Sequence, residues 1–197
     1  MPNHVTTIVE MSGPQESINK FFETIKGEGT EFDFGKIVPP PDNLYTGNLS
    51  SDKKEELNDK GIPNWYDWNM QNWGTKWNAY SIDSQPEYNT IQFNTAWAMP
   101  YPVLLEASSQ FPDILFEVKY ADEDLGYNCG QIHFKDGGTI YRRIYDGSKE
   151  YGQSVRFASE VQGCKPFKII GEGDDVQIFW QEEDYQNYLL SEPEPSE

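Results

Sequence analysis

Val5, Thr7, Val9 and Met11 alternate with Thr6, Ile8 and Glu10, the two-residue period of a β-strand. Gly13-Pro14 breaks that run, and proline suits the first turn of a helix. Behind it Ile18, Phe21, Phe22 and Ile25 fall within about 100° of one another at 3.6 residues per turn, and Gly27 and Gly29 close the segment. Phe32-Asp33-Phe34, Ile37-Val38 and Pro39-Pro40-Pro41 then read as extended chain on the surface. Asp52 followed by Glu55 is a capping-box pattern for a short helix to about Asp59. Past Gly61-Ile62-Pro63 a second helix is predicted from Asn64 to Trp73, closed by Gly74. On it Trp65, Trp68 and Trp73 share an arc of roughly 140°.

Strand periodicity then returns. Tyr80 and Ile82 predict a short strand ending near Ser84. Ile91, Phe93, Thr95 and Trp97, alternating with Thr90, Gln92, Asn94 and Ala96, predict the strongest one. Pro100 and Pro102 introduce a helix carrying Leu104, Ala107 and Phe111, stopped by Pro112. Ile114, Phe116, Val118 and Tyr120 then alternate with Leu115, Glu117 and Lys119. With residues 30–78 set aside as an insertion, the order is β-α-β-β-α-β. The expected fold is therefore α+β: a ferredoxin-like core over residues 1–125, two helices on an antiparallel sheet.

A C-terminal extension is expected over 126–181. Ile132 and Phe134 lead through the turn signal Asp136-Gly137-Gly138 to Ile140–Tyr145, a hairpin. Lys149 to Gln162 reads as a helix with Tyr151, Val155, Ala158 and Val161 on one side. Phe167–Ile170 and Val176–Trp180 read as two short strands around Gly171-Glu172-Gly173. Residues 182–197 form an acidic tail whose Pro193 and Pro195 point to disorder at its end.

Charge changes this picture more than size does. Among 197 residues, 15 Lys and Arg face 33 Asp and Glu, a formal charge of −18. Such a surface repels nucleic-acid phosphates and anionic membranes, so direct binding to either is not expected. An aromatic content of 15% is too rich for a disordered acidic chain. Residues 1–20 carry no apolar signal segment and no run is long enough to span a bilayer, so a cytoplasmic protein is expected. Cys129 and Cys164 are read as reduced thiols. No cofactor or metal is expected, and two cysteines fall short of the four ligands of an iron–sulfur cluster.

Four segments carry a resemblance. They are Met1-Pro2-Asn3-His4-Val5-Thr6, Phe32-Asp33-Phe34-Gly35-Lys36-Ile37-Val38-Pro39, Trp73-Gly74-Thr75-Lys76-Trp77-Asn78-Ala79 and Tyr120-Ala121-Asp122-Glu123-Asp124-Leu125-Gly126. With Thr95-Ala96-Trp97 and Pro100-Tyr101-Pro102, they resemble the YubB-type ferredoxin-like proteins of phages and plasmids over roughly residues 1–135. The resemblance implies a ferredoxin-like fold and a home on mobile genetic elements. It carries over no catalytic residues.

The chemistry-bearing residues support binding better than catalysis. There is no nucleophile elbow, metal-binding HExxH or phosphate loop, and His4 and His133 are the only histidines. Glu117, Asp122, Glu123 and Asp124, with Asp174 and Asp175 as outliers, are the expected acidic protein-binding surface. Trp65, Trp68, Trp73 and Trp77, with Lys76 stacked on a ring, are either helix packing or the wall of an aromatic cleft. If Phe93 and Phe116 face the helices, the open sheet face carries Gln92, Asn94, Leu115, Glu117 and Lys119, with no aromatic residue. RNA stacking on that face is then disfavoured.

The expected function is non-enzymatic: binding and inhibition of a basic host protein, a nucleic-acid-handling enzyme or defence complex, by an acidic surface that mimics DNA. The alternative is a small-molecule or carbohydrate binder, or weak enzyme, using a cleft beside the Trp-rich insertion.

Overall fold

The computed structural model describes residues 2–164, 166, 168–171 and 176–191. The opening alternation forms β1 (His4–Ser12), followed by α1 (Gln15–Thr24). The insertion holds α2 (Ser51–Asp59) and α3 (Trp65–Asn72). Next come β2 (Tyr80–Gln85), β3 (Thr90–Ala96), α4 (Tyr101–Gln110) and β4 (Leu115–Asp122). The C-terminal part adds β5 (Cys129–Lys135), β6 (Gly138–Ile144), α5 (Tyr151–Val161), β7 (Lys168–Ile170), β8 (Gln177–Phe179) and α6 (Glu182–Ser191).

The expected α+β, ferredoxin-like fold is observed. One sheet runs β2-β3-β1-β4-β5-β6, and each strand is antiparallel to its neighbours. Its first four strands contain two interleaved split units: β1 and β2 with β3 between them, β3 and β4 with β1 between them. In register, Val9 lies between Ile91 and Val118, and Thr7 between Phe93 and Tyr120. Because side chains alternate, this row faces one side. There it buries Ile18, Phe21 and Phe22 of α1 and Val103, Leu104 and Ala107 of α4. Phe21 sets its ring edge-on to Phe111 and Phe116 at 5.4 and 5.2 Å.

Several local expectations are corrected. Phe32, Phe34 and Ile37 are buried in the main core rather than lying as surface chain. The cap of α2 is Ser50, whose hydroxyl accepts from the Lys53 N–H, two residues before the Asp52 expected for it. The strand ends at Ala96, because Trp97 turns into the left-handed region at φ +71° instead of facing the helices. The hairpin β5–β6 turns through Asp136 and Gly137, both at positive φ, and it widens the core sheet as two further strands.

Residues 182–191 form α6, with Tyr185 and Tyr188 against Phe179, where a tail was expected. Pro193 and Pro195 lie outside the described residues.

Helix α5 packs on the other face of the sheet, closing a second, smaller core of Ala121, Cys129, Ala158 and Val161. Burial there pushes the Cys129 thiol up to about 11, whereas Cys164 is only half-buried. Both cysteines are free. A thiol reagent near pH 8 is expected to modify Cys164 readily and Cys129 only as the chain unfolds. Equal labelling rates in the native protein would show that α5 does not seal this core.

Candidate functional site

The acids expected to form one surface are not brought together as one. Asp122 is 5% exposed, and its carboxylate accepts from Asn3 Nδ2, Asn128 Nδ2 and the Asp124 N–H at 3.0, 3.0 and 2.9 Å. It is a loop-fixing group, not a surface charge. Glu123 is exposed, but its carboxylate accepts from the His4 N–H at 3.1 Å and its own N–H donates to the His4 carbonyl at 2.9 Å, extending the β1 ladder. Asp124 is exposed, and Glu117 sits on the far sheet face, 3.8 Å from His133 Nε2. Asp174 and Asp175 lie outside the described residues.

The tryptophans of the insertion also separate. Trp73 is 8% exposed, edge-on to Phe34 and Trp68, and donates its indole N–H to the Val38 carbonyl at 3.0 Å. Trp68 packs partly buried against the same core. Trp65 is half-buried and donates to the Gly47 carbonyl. These three are packing residues. Trp77 alone of the four turns outward, at 36% exposure.

What Trp77 joins is Trp97, 39% exposed, which the sequence reading placed in a strand. The Lys76 ammonium lies 4.7 Å from the Trp77 ring centroid and 4.9 Å from that of Trp97. Tyr66 approaches the Trp97 ring edge-on at 6.4 Å, and the Lys54 ammonium lies over Tyr66 at 4.4 Å. The patch therefore draws on α2, α3, the segment before β2 and the end of β3.

The backbone holds this patch firmly. Gly74 at φ +76° leaves α3 where a Cβ would come within 2.8 Å of Pro102 Cδ. The buried Thr75 hydroxyl donates to the Ala96 carbonyl at 2.7 Å, and Asn69 Nδ2 donates to the Lys76 carbonyl. Trp97 is fixed at both ends: its N–H donates to the Asn3 carbonyl at 3.0 Å, and its carbonyl accepts from Asn128 Nδ2 at 2.9 Å. A left-handed tryptophan costs about 1–2 kcal/mol. Strain of this kind persists where surrounding bonds over-determine it, and it concentrates at functional positions. The local signal was the Trp-Gly-Thr-Lys-Trp-Asn run, but nothing in the alternation around Trp97 marked its reversal.

The open sheet face is also richer than expected. With β5 and β6 in the sheet, it carries His133, Gln131, Tyr141 and Arg143 beside Glu117 and Lys119. His133 stacks at 4.7 Å on Tyr141, an aromatic pair where none was expected. Part of this face is covered by α5, leaving a recess of about 100 Å³ lined by Ile8, Glu10, Lys119, Phe157, Glu160 and Val161. A larger depression of about 340 Å³ lies between Ile37–Pro39, Gln71, Asn72, Pro102 and Glu106. No tryptophan lines it. Among the described residues no group of three or more His, Cys, Asp or Glu is placed to hold a metal ion. No helix among them is long and apolar enough to cross a membrane.

Residues 76–162 match the family model described as "Ferredoxin-like domain in Api92-like protein". That match takes in Lys76, Trp77, Trp97 and Asn128. Among solved structures the chain is similar to protein api92 from Yersinia pseudotuberculosis, at 16% identity and a TM-score of 0.39. The alignment covers 44% of this chain and 32% of that one, so it spans about a third of the api92 chain. No curated protein is matched.

Proposed function

We propose that this chain is a cytoplasmic, non-enzymatic binding module that engages and inhibits a basic host protein, a nucleic-acid-handling enzyme or defence complex. Trp97 and Trp77 are its anchor. The observation that carries the reading is the exposed Trp97, held in a costly backbone conformation by hydrogen bonds at both its amide and its carbonyl. Exposed aromatic side chains on a rigid frame are the usual anchors of protein interfaces. The net charge of −18 supplies long-range attraction for a basic partner. The mobile-element setting implied by the sequence resemblance supplies a reason to disable such a partner.

Exposed acids occur on α1 (Glu16, Glu23), α2 (Asp52, Glu55, Asp59), β1 (Glu10) and α6 (Glu182, Glu183, Asp184). That distribution suits a general attractive field better than a ladder of carboxylates imitating DNA. The carbohydrate-cleft alternative loses its walls, since Trp65, Trp68 and Trp73 are spent on packing.

The test is affinity capture from host lysate by the wild-type protein and Trp97→Gly. Glycine adopts the left-handed conformation freely, so the variant is expected to fold with stability equal or up to about 1 kcal/mol higher. Its retained partner is expected to fall about thirtyfold, the loss typical of an interface anchor. Capture unaffected in a folded Trp97→Gly protein would overturn the reading.

A further inference from the structure

Lys76 is an unusual cation for so acidic a protein. Among the described residues no carboxylate lies within 4.0 Å of its ammonium, although acids outnumber bases 33 to 15 in the chain. What holds it instead is two indole rings, at 4.7 and 4.9 Å, both more than a third exposed. Nearby Lys54 differs: it lies over Tyr66 but also pairs with Asp67 at 3.1 Å.

Two tryptophans around a cation, with no anion among them, select by the negative faces of the rings. That mode of binding is most favourable for a cation that gives up water cheaply. A primary ammonium is compact and strongly hydrated, whereas a guanidinium is delocalised and weakly hydrated. Methylated ammonium groups are the common guests of aromatic cages. Lysine is thus a poor occupant of a site that its neighbours build well.

We infer that Trp77 and Trp97 form a recognition site for a weakly hydrated organic cation, a guanidinium or methylated ammonium on the partner. In the free protein Lys76 fills it as a resident self-ligand. The inference rests on the binding reading above and deepens it: the partner's side chain displaces Lys76 into solvent, where an excess of surface carboxylate receives it. The self-ligand sets a threshold that only a better cation passes.

The six tryptophans give six indole N–H signals in a ¹H–¹⁵N spectrum, and Trp77→Phe and Trp97→Gly assign the two concerned. The probe is tetramethylammonium chloride, with ionic strength held constant by sodium chloride. Saturable shifts are expected at Trp77 and Trp97, with the apparent Kd about tenfold lower in Lys76→Ala than in wild type once self-competition is removed. Lys76→Gln serves as a second variant should the alanine protein fold poorly. N-acetylarginine amide is expected to bind more tightly than N-acetyllysine amide, and the reverse order would overturn selection for a weakly hydrated cation.

Shifts that are linear, or spread evenly over all six indoles in wild type and both Lys76 variants, would overturn the site. Cation binding that persists while Trp97→Gly still captures the partner would keep this site and remove the functional reading. Lost capture without cation binding would do the opposite.

Discussion

Phe34→Ala is expected to destabilise the protein by about 3–5 kcal/mol, the cost of deleting a fully buried aromatic ring. Phe34 is completely buried and sets its ring edge-on to Phe32, Trp73 and Phe93 at 5.0, 5.7 and 6.0 Å. It is the point where the insertion, α3 and the central sheet meet. Its N–H also donates to Asn78 Oδ1, and Asn78 Nδ2 donates to Asp33 Oδ1 at 2.7 Å, so the backbone beside the ring closes the segment before β2. Removing the ring opens a cavity that three aromatic neighbours cannot fill without leaving their rotamers. Urea unfolding is the measurement, followed by both fluorescence and far-UV circular dichroism. A loss under about 1 kcal/mol, or two transitions that fail to coincide, would show that the insertion is not part of the cooperative core.

That expectation also marks where the sequence misled. Phe32-Asp33-Phe34 followed by Ile37-Val38 and three prolines has neither helical nor strand periodicity, and the prolines suggest solvent. The chain instead forms a short helical turn at Phe34–Lys36, capped by Asp33 accepting from the Gly35 N–H at 2.9 Å. The turn swings both phenylalanines to one side. Local turn chemistry of this kind leaves no repeating pattern to read. The sheet, by contrast, was legible because alternation over seven or more residues fixes which face is buried: Val9, Ile91 and Val118 were each assignable from their own segments and align in one row.

The binding patch was half legible for the same reason. Trp-Gly-Thr-Lys-Trp-Asn stood out as a motif, yet its partner is Trp97, which continues the β3 alternation perfectly in sequence and breaks it in space. The reversal comes from bonds to Asn3 and Asn128, 94 and 31 residues away, and no local window contains them. The acids failed differently. Their composition was read correctly as a charge excess, but Asp122, Glu123 and Asp124 were grouped by adjacency, and consecutive strand-end residues diverge. One is buried, one completes a ladder and one is free to face solvent.

Asp122 bonds both residues that clamp Trp97, and Asp122→Ala is expected to cost about 3 kcal/mol. A buried carboxylate that accepts three hydrogen bonds loses all three when it is removed; hydrogen bonds to a charged group are worth roughly 1.5–3 kcal/mol each, and the loss is reduced here because the freed donors lie on exposed residues that water reaches. Two of those donors belong to Asn3 and Asn128, which are the residues whose carbonyl and amide clamp Trp97. The substitution is therefore expected to lower partner capture as well as stability, although Asp122 touches no part of the exposed rings. Asp122→Asn keeps one acceptor oxygen and the side chain's shape, so it is expected to lose about half as much. Trp97→Gly separates the two effects, since it removes the anchor and leaves the clamp unstrained. Combining Asp122→Ala with Trp97→Gly should then cost no more stability than Asp122→Ala alone and give no further loss of capture than Trp97→Gly alone, because the clamp has nothing left to hold. If Asp122→Ala unfolds at the same urea concentration as wild type, the carboxylate is not fixing this corner. If it is destabilised yet captures the partner as wild type does, Trp97 is held by its own packing, and the path from buried acid to exposed ring is cut.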